Sequence, residues 1–81
     1  MKVIIYSNPN HCPYCVRAKQ YLDSKGIINE TKTVGVDITK EALFEACGGP
    51  VRTVPQIFLM EDGFAEYIGG YQELVNHPRF K

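Results

Sequence analysis

The sequence lacks several features that would assign it to a functional class outright. It has no charge excess: nine Lys and Arg stand against nine Asp and Glu, interspersed from Lys2 to Lys81 without a basic block. The general electrostatic footprint of a nucleic-acid binder is therefore missing, and nucleic acid is not expected among the partners. It has no long apolar run. Val3-Ile4-Ile5-Tyr6 is too short for a secretory core or a membrane span, and Ser7-Asn8-Pro9-Asn10 closes it at once. A soluble, cytoplasmic protein without a membrane partner is expected. Its three cysteines are odd in number and too few for a secreted disulfide framework. Repeats, low-complexity tracts and linkers are also missing, and 81 residues leave room for one domain over residues 1–81. What the chain does have is apolar content: 44% hydrophobic residues, with five Tyr and four Phe. A chain this size buries roughly 60% of its unfolded surface, and this content is close to what its core requires.

Alternating short elements are legible along the chain. Lys2 to Tyr6 is apolar and β-branched, which suits a central strand covered on both faces. A turn-rich segment from Ser7 to His11 follows. Pro13 fits the first helical position, where no N–H is needed, and good helix formers run to Lys25 before Gly26 stops them. Cys15, Ala18 and Leu22 share one face of that helix. Glu30 to Val36 reads as a second strand with Val34 and Val36 on one face. A strand, a helix and a strand in succession form a βαβ unit with parallel strands. Thr39 caps a short helix, Lys40 to Cys47, with Ala42, Leu43 and Ala46 inward, and Gly48-Gly49-Pro50 ends it. Gln56 to Met60 and Phe64 to Ile68 then form a hairpin around Asp62-Gly63. Gly69-Gly70 leads into a last helix that stops before Pro78. The order β-α-β-α-β-β-α matches an α/β, thioredoxin-like fold: a four-stranded mixed sheet flanked by three helices. The tyrosines Tyr6, Tyr21 and Tyr67 and the phenylalanines read as core, and His77 as a surface residue.

Cys12-Pro13-Tyr14-Cys15, at a helix start directly after a strand, is the strong chemical signal. Cys12 meets unpaired backbone N–H groups and the positive helix end, which favour a thiolate. Cys15 follows one turn later on the same side, at a spacing that permits a disulfide. It can attack a mixed disulfide on Cys12 and release the product thiol. A disulfide closing so small a loop stabilises a fold by only about 2 kcal/mol, so stability is a poor reason for it. Two other readings compete. Structural zinc needs four ligands, and beyond the pair only Cys47, His11 and His77 remain, without a second close pair. Two inert packed thiols are the other; against that, Pro13 puts Cys12 on the rim rather than in the core. His11 can stabilise the thiolate when protonated but reads more simply as a loop residue, and Cys47 reads as a small packed residue.

With these motifs the chain resembles the glutaredoxin family over nearly its whole length. Cys12 to Cys15 matches the dithiol C-P-Y-C motif, continued by Val16-Arg17-Ala18-Lys19. Thr53-Val54-Pro55-Gln56-Ile57-Phe58 looks like the T-V-P segment before the third strand, and Gly69-Gly70-Tyr71 like the G-G-Y at the last helix. The resemblance implies a glutathione-dependent thiol–disulfide oxidoreductase with Cys12 and Cys15 catalytic. It implies no metal and no bound cofactor, with glutathione as reductant and co-substrate and electrons from NADPH through glutathione reductase. Implied partners are disulfide-containing or glutathionylated proteins, ribonucleotide reductase favoured among them, met by a monomer.

The resemblance also implies a glutathione groove. General statistics read Val54-Pro55 as trans, whereas the family has a cis bond there, leaving the Val54 backbone to pair with the cysteinyl unit. Thr53 and Arg52 border the groove, with Arg52 toward the glycyl carboxylate, Tyr14 beside the sulfur, and Gly70, Tyr71, Gln72 and Glu73 toward the γ-glutamyl carboxylate. Two departures imply weaker glutathione binding: Asn8 where many members have lysine, and Tyr71-Gln72-Glu73 where many have an acidic pair. The alternatives are a redoxin reduced by thioredoxin reductase and a protein holding an iron–sulfur cluster with glutathione as co-ligand.

Overall fold

The computed structural model describes residues 1–10 and 12–80. Its elements are β1 (Lys2–Ser7), α1 (Pro13–Ser24), β2 (Asn29–Thr33), α2 (Lys40–Cys47), β3 (Gln56–Glu61), β4 (Phe64–Gly69) and α3 (Tyr71–Asn76). The four strands form one sheet in the order β2-β1-β3-β4. β1 pairs β2 in parallel, Val3 opposite Asn29. It pairs β3 antiparallel, Ile4 opposite Phe58, and β3 pairs β4 antiparallel, Phe58 opposite Tyr67. The expected α/β, thioredoxin-like arrangement is the one observed. Among the described residues no helix is long and apolar enough to cross a membrane.

Because successive side chains on a strand face opposite ways, Val3 and Ile5 look to one side of the sheet and Ile4 and Tyr6 to the other. On the first side Val3, Ile5, Ile57 and Leu59 meet Ala18 and Leu22 of α1, Leu74 of α3 and Phe80 beyond it, all at most 2% exposed. A Leu or Ile buried this completely contributes roughly 1.5–3 kcal/mol, so this layer holds the molecule together. Phe80 is pinned there by the Tyr21 hydroxyl, which donates to its carbonyl at 2.8 Å. On the second side Phe58 stacks edge-on against Tyr6 and obliquely against Tyr67.

The structure corrects the sequence reading in four places and bears out the cis bond that the resemblance implies. β2 ends at Thr33 rather than at Val36: the Asp37 carboxylate accepts from the Thr33 N–H at 2.8 Å. Gly35 then turns at φ +90°, and Val36 is left 77% exposed. In α2, capped by Thr39 as expected, only Leu43 is buried, while Ala42 and Ala46 face solvent. Phe64 and Tyr67 belong to the edge strand β4 and are 58% and 40% exposed rather than core. His77 is not a free surface group: it caps α3 with its ring 2.7 Å from the Glu66 carboxylate. The peptide bond before Pro55 is cis, against the general statistics and in keeping with the resemblance. The hairpin formed as expected, with Asp62 and Gly63 both at positive φ in a two-residue turn.

Candidate active site

Cys12 is the N-cap of α1, with extended φ and ψ, and Pro13 opens the helix. That geometry turns the first backbone N–H groups toward the cap, and Cys15 N–H donates to Cys12 Sγ at 3.3 Å. The same turn brings the two cysteines into a disulfide, with their Cα atoms 5.3 Å apart. Cys12 is 9% exposed and Cys15 6%. The expectation that Cys12 alone sits exposed on a rim is therefore corrected: the pair is covered almost equally. What separates the two sulfurs is the backbone. Cys12 occupies the helix end, where N–H groups converge and a negative charge is favoured, and Cys15 lies one turn inside the helix.

Tyr14 projects from the first turn of α1, 50% exposed, and leans on Tyr71 of α3 at 5.8 Å between ring centroids. The Arg17 guanidinium lies over its ring, 5.3 Å from the centroid. Tyr14 forms one wall of a groove of about 220 Å³; the Thr53-Val54-Pro55 segment and the start of α3, Gly70 to Glu73, form the others. Every residue expected to hold glutathione lines this groove except Arg52. Arg52 lines an adjoining hollow that shares Thr53 and Val54 with it and also contains Asn8. The cysteines border a third hollow with Ser7, Asn10 and Lys19. His11, the other residue considered for the thiolate, lies outside the described residues.

The start of α3 differs from the expectation in one respect. The Glu73 carboxylate accepts from the Gly70 N–H at 2.7 Å, so one donor expected to serve a γ-glutamyl carboxylate is taken by the chain itself. Gly69 makes this closure possible. A Cβ there would lie 2.9 Å from Glu73 Cγ, and its φ of +119° disfavours any other residue.

Two residues behind the groove escaped the sequence reading as functional. Gln56, 4% exposed, donates from Nε2 to the Thr53 carbonyl at 2.8 Å, and its Oε1 accepts from the Tyr67 hydroxyl. Together they brace the segment that forms the groove wall. The available signal was a polar residue opening an otherwise apolar strand directly after a proline. On the same side of the sheet Cys47 adjoins Tyr67 and Tyr6: burial pushes the Cys47 thiol up, and burial followed by the nearby Cys47 pushes both phenols up. Among the described residues no three His, Cys, Asp or Glu side chains stand together as metal ligands.

Comparison with known proteins places these features in a family. The glutaredoxin family model matches residues 3–64, a span that includes both cysteines and the cis proline. A glutaredoxin of Haemophilus influenzae is 46% identical over 67 residues, covering 75% of this chain and 76% of its own. Glutaredoxin 1 of Escherichia coli is 40% identical over 83 residues, covering 93% and 89%. Among solved structures, that of glutaredoxin 1 from Francisella tularensis complexed with cacodylate superposes with a TM-score of 0.57 at 32% identity, covering 90% of this chain and 86% of that one.

Proposed function

The chain belongs to the glutaredoxin family, whose members are glutathione-dependent thiol–disulfide oxidoreductases, and from that premise we propose that Cys12 is its nucleophile and Cys15 its resolving thiol. The observation that carries the assignment is the Cys15 N–H aimed at Cys12 Sγ at the N-cap of α1. After reduction, the negative charge of a thiolate is best held at that sulfur.

With a glutathionylated protein, the Cys12 thiolate attacks the glutathione sulfur. The protein–glutathione S–S bond breaks, the protein leaves as a thiolate that takes up a proton, and Cys12 is joined to glutathione. A second glutathione thiolate then attacks the glutathione sulfur of that bond, forming oxidised glutathione and returning Cys12 as thiolate. With a protein disulfide, the Cys12 thiolate attacks one sulfur, the protein S–S bond breaks, the other protein sulfur leaves as a thiolate that takes up a proton, and Cys12 is joined to the protein in a mixed disulfide. Cys15 loses its proton and displaces the protein thiol, leaving the Cys12–Cys15 disulfide. Two glutathione molecules, kept reduced by NADPH through glutathione reductase, restore the dithiol.

The groove beside Tyr14 holds glutathione in this reading. The Val54 backbone pairs with the cysteinyl unit, Gly70 to Glu73 face the γ-glutamyl end, and Arg52 faces the glycyl end. Thr53 and Pro55 shape the wall between. We propose further that the chain acts as a single-domain monomer in the cytoplasm, without a bound cofactor, and that ribonucleotide reductase is among its protein partners.

The test is NADPH consumption coupled to glutathione reductase. Cys15→Ser should lose reduction of protein disulfides yet keep removal of glutathione from mixed disulfides, and Cys12→Ser should lose both. Loss of both activities in Cys15→Ser would contradict the assignment.

A further inference from the structure

β2 is one edge of the sheet, and an edge strand presents a row of backbone groups with no neighbour to bond. The Val3 N–H donates to the Ile28 carbonyl at 2.9 Å and the Val34 N–H to the Ser7 carbonyl at 2.8 Å. In this phase of the parallel ladder Glu30 and Lys32 turn their backbone groups toward β1, and Asn29, Thr31 and Thr33 turn theirs outward. At Thr33 the chain covers its own edge: the Asp37 carboxylate accepts from the Thr33 N–H, and the Thr33 carbonyl accepts from the N–H groups of Val36 and Asp37. Among the described residues nothing does the same for the outward N–H and carbonyl groups of Asn29 and Thr31. Thr31 lies opposite Ile5 and so on the α1 side of the sheet, where it borders the third hollow, about 350 Å³ in volume, together with Val16, Cys12 and Cys15. Thr31 is exposed and Val16 is 48% exposed. The one charged group at this hollow, Lys19, is already engaged by the Asp23 carboxylate at 3.4 Å and the Asn29 side chain at 3.2 Å.

We propose that this edge and hollow together dock the polypeptide of a protein substrate. An extended, uncharged segment beside the target cysteine adds to β2 as a further strand, bonds the backbone of Asn29 and Thr31, and lays an apolar side chain between Thr31 and Val16. Each element of the segment answers one feature of the surface: backbone groups for the open edge, apolar area for Val16, and no charge where Lys19 is already neutralised. The occupant is a substrate because the hollow is continuous with the reacting cysteines, which form part of its border. The inference rests on the reading that Cys12 is the nucleophile and that glutathione occupies the groove beside Tyr14. That groove and this hollow share no lining residue, so a glutathionylated protein lays its glutathione in one and its own chain in the other. The hollow therefore separates protein substrates from one another without changing how glutathione is used.

The experiment compares two decapeptides, each with a central glutathionylated cysteine, flanked on both sides by valines in one and by serines in the other. The valine peptide should show a KM about tenfold lower, with kcat nearly equal. Thr31→Pro removes an outward N–H without touching the ladder to β1, and Val16→Asp sets a charge in the hollow. Each should raise the valine-peptide KM to that of the serine peptide. Both variants should turn over the mixed disulfide of glutathione with 2-mercaptoethanol at the parent rate. In the reduced parent, saturation with an unreactive valine peptide carrying serine for the cysteine should slow hydrogen exchange at the Thr31 amide about tenfold. Equal KM values for the two peptides in the parent, a preference for valine retained by either folded variant, or unchanged exchange at Thr31 would overturn the proposal. Val16 is exposed, so its variant and the exchange measurement decide the matter if Thr31→Pro does not fold. Failure of the parent to turn over the small mixed disulfide would count against the glutathione groove instead, and exchange at Thr31 would still judge the edge.

Discussion

Reducing the Cys12–Cys15 bond leaves a backbone N–H aimed at one sulfur and burial around a third, Cys47, so the cysteines should react in order. Cys12 should alkylate at a lower pH than Cys47, whose thiol is pushed up chiefly by burial. Mass mapping after iodoacetamide across a pH series checks this, and Cys47 modified first would contradict it. The Cys47 shift also has a stability consequence. A thiol whose folded value is raised stabilises the fold below its unfolded value and loses that contribution as pH rises through the folded one. The stability advantage of the parent over Cys47→Ala should therefore narrow between neutral and alkaline pH in urea unfolding. Gln56 offers a sharper test of the groove. Gln56→Ala removes the donor to the Thr53 carbonyl, a bond worth about 1 kcal/mol, and should raise KM for a glutathionylated peptide about fivefold with kcat nearly unchanged. The roles of Cys12 and Cys15 were legible because helix-end chemistry depends on local order. Gln56 was not, because Thr53 reaches it only through the turn at the cis proline and Tyr67 only through the pairing of β3 with β4.

Element ends follow the same division. α1 starts at Pro13, and α2 stops at Gly48 with φ +84°, because proline and glycine act on their own backbone torsions. β2 stops early because the chain turns back on itself there, with the Asp37 N–H and carboxylate both bonded to the Thr33 backbone, a loop closure that β-propensity alone does not reveal. α2 was expected to bury three residues and buries one, since helical periodicity gives the apolar face but not the area available to cover it. The junction of β4 with α3 is where an element end bears on the groove. Gly69→Ala places a Cβ against Glu73 at positive φ, and should cost roughly 1–3 kcal/mol in urea unfolding while moving the Glu73 carboxylate off Gly70. At the chain's other fixed point, Tyr21→Phe should cost about 1 kcal/mol by removing the hydroxyl that holds the Phe80 carbonyl.

At the scale of the molecule, the fold presents one sheet with its thick core on the α1 and α3 side and its disulfide where a strand passes into a helix. The parallel pairing of β1 with β2 and the antiparallel pairing of β3 with β4 were readable from element order and from Asp62-Gly63, whereas the pairing of β1 with β3 that joins the two halves was not. The cis bond before Pro55 was readable only through the resemblance, because local sequence statistics favour trans. A disulfide spanning four residues stabilises by about 2 kcal/mol at most on loop-entropy grounds, so oxidised and reduced protein should unfold within that margin. A much larger gap would mean that the bond serves structure rather than turnover. The most direct test of the account is to react reduced Cys15→Ser with one equivalent of a glutathionylated peptide and map the product by mass spectrometry. The account predicts free peptide thiol and one glutathione on Cys12, removed on adding excess glutathione. Glutathione found on Cys47, or peptide released with Cys12 unmodified, would contradict it.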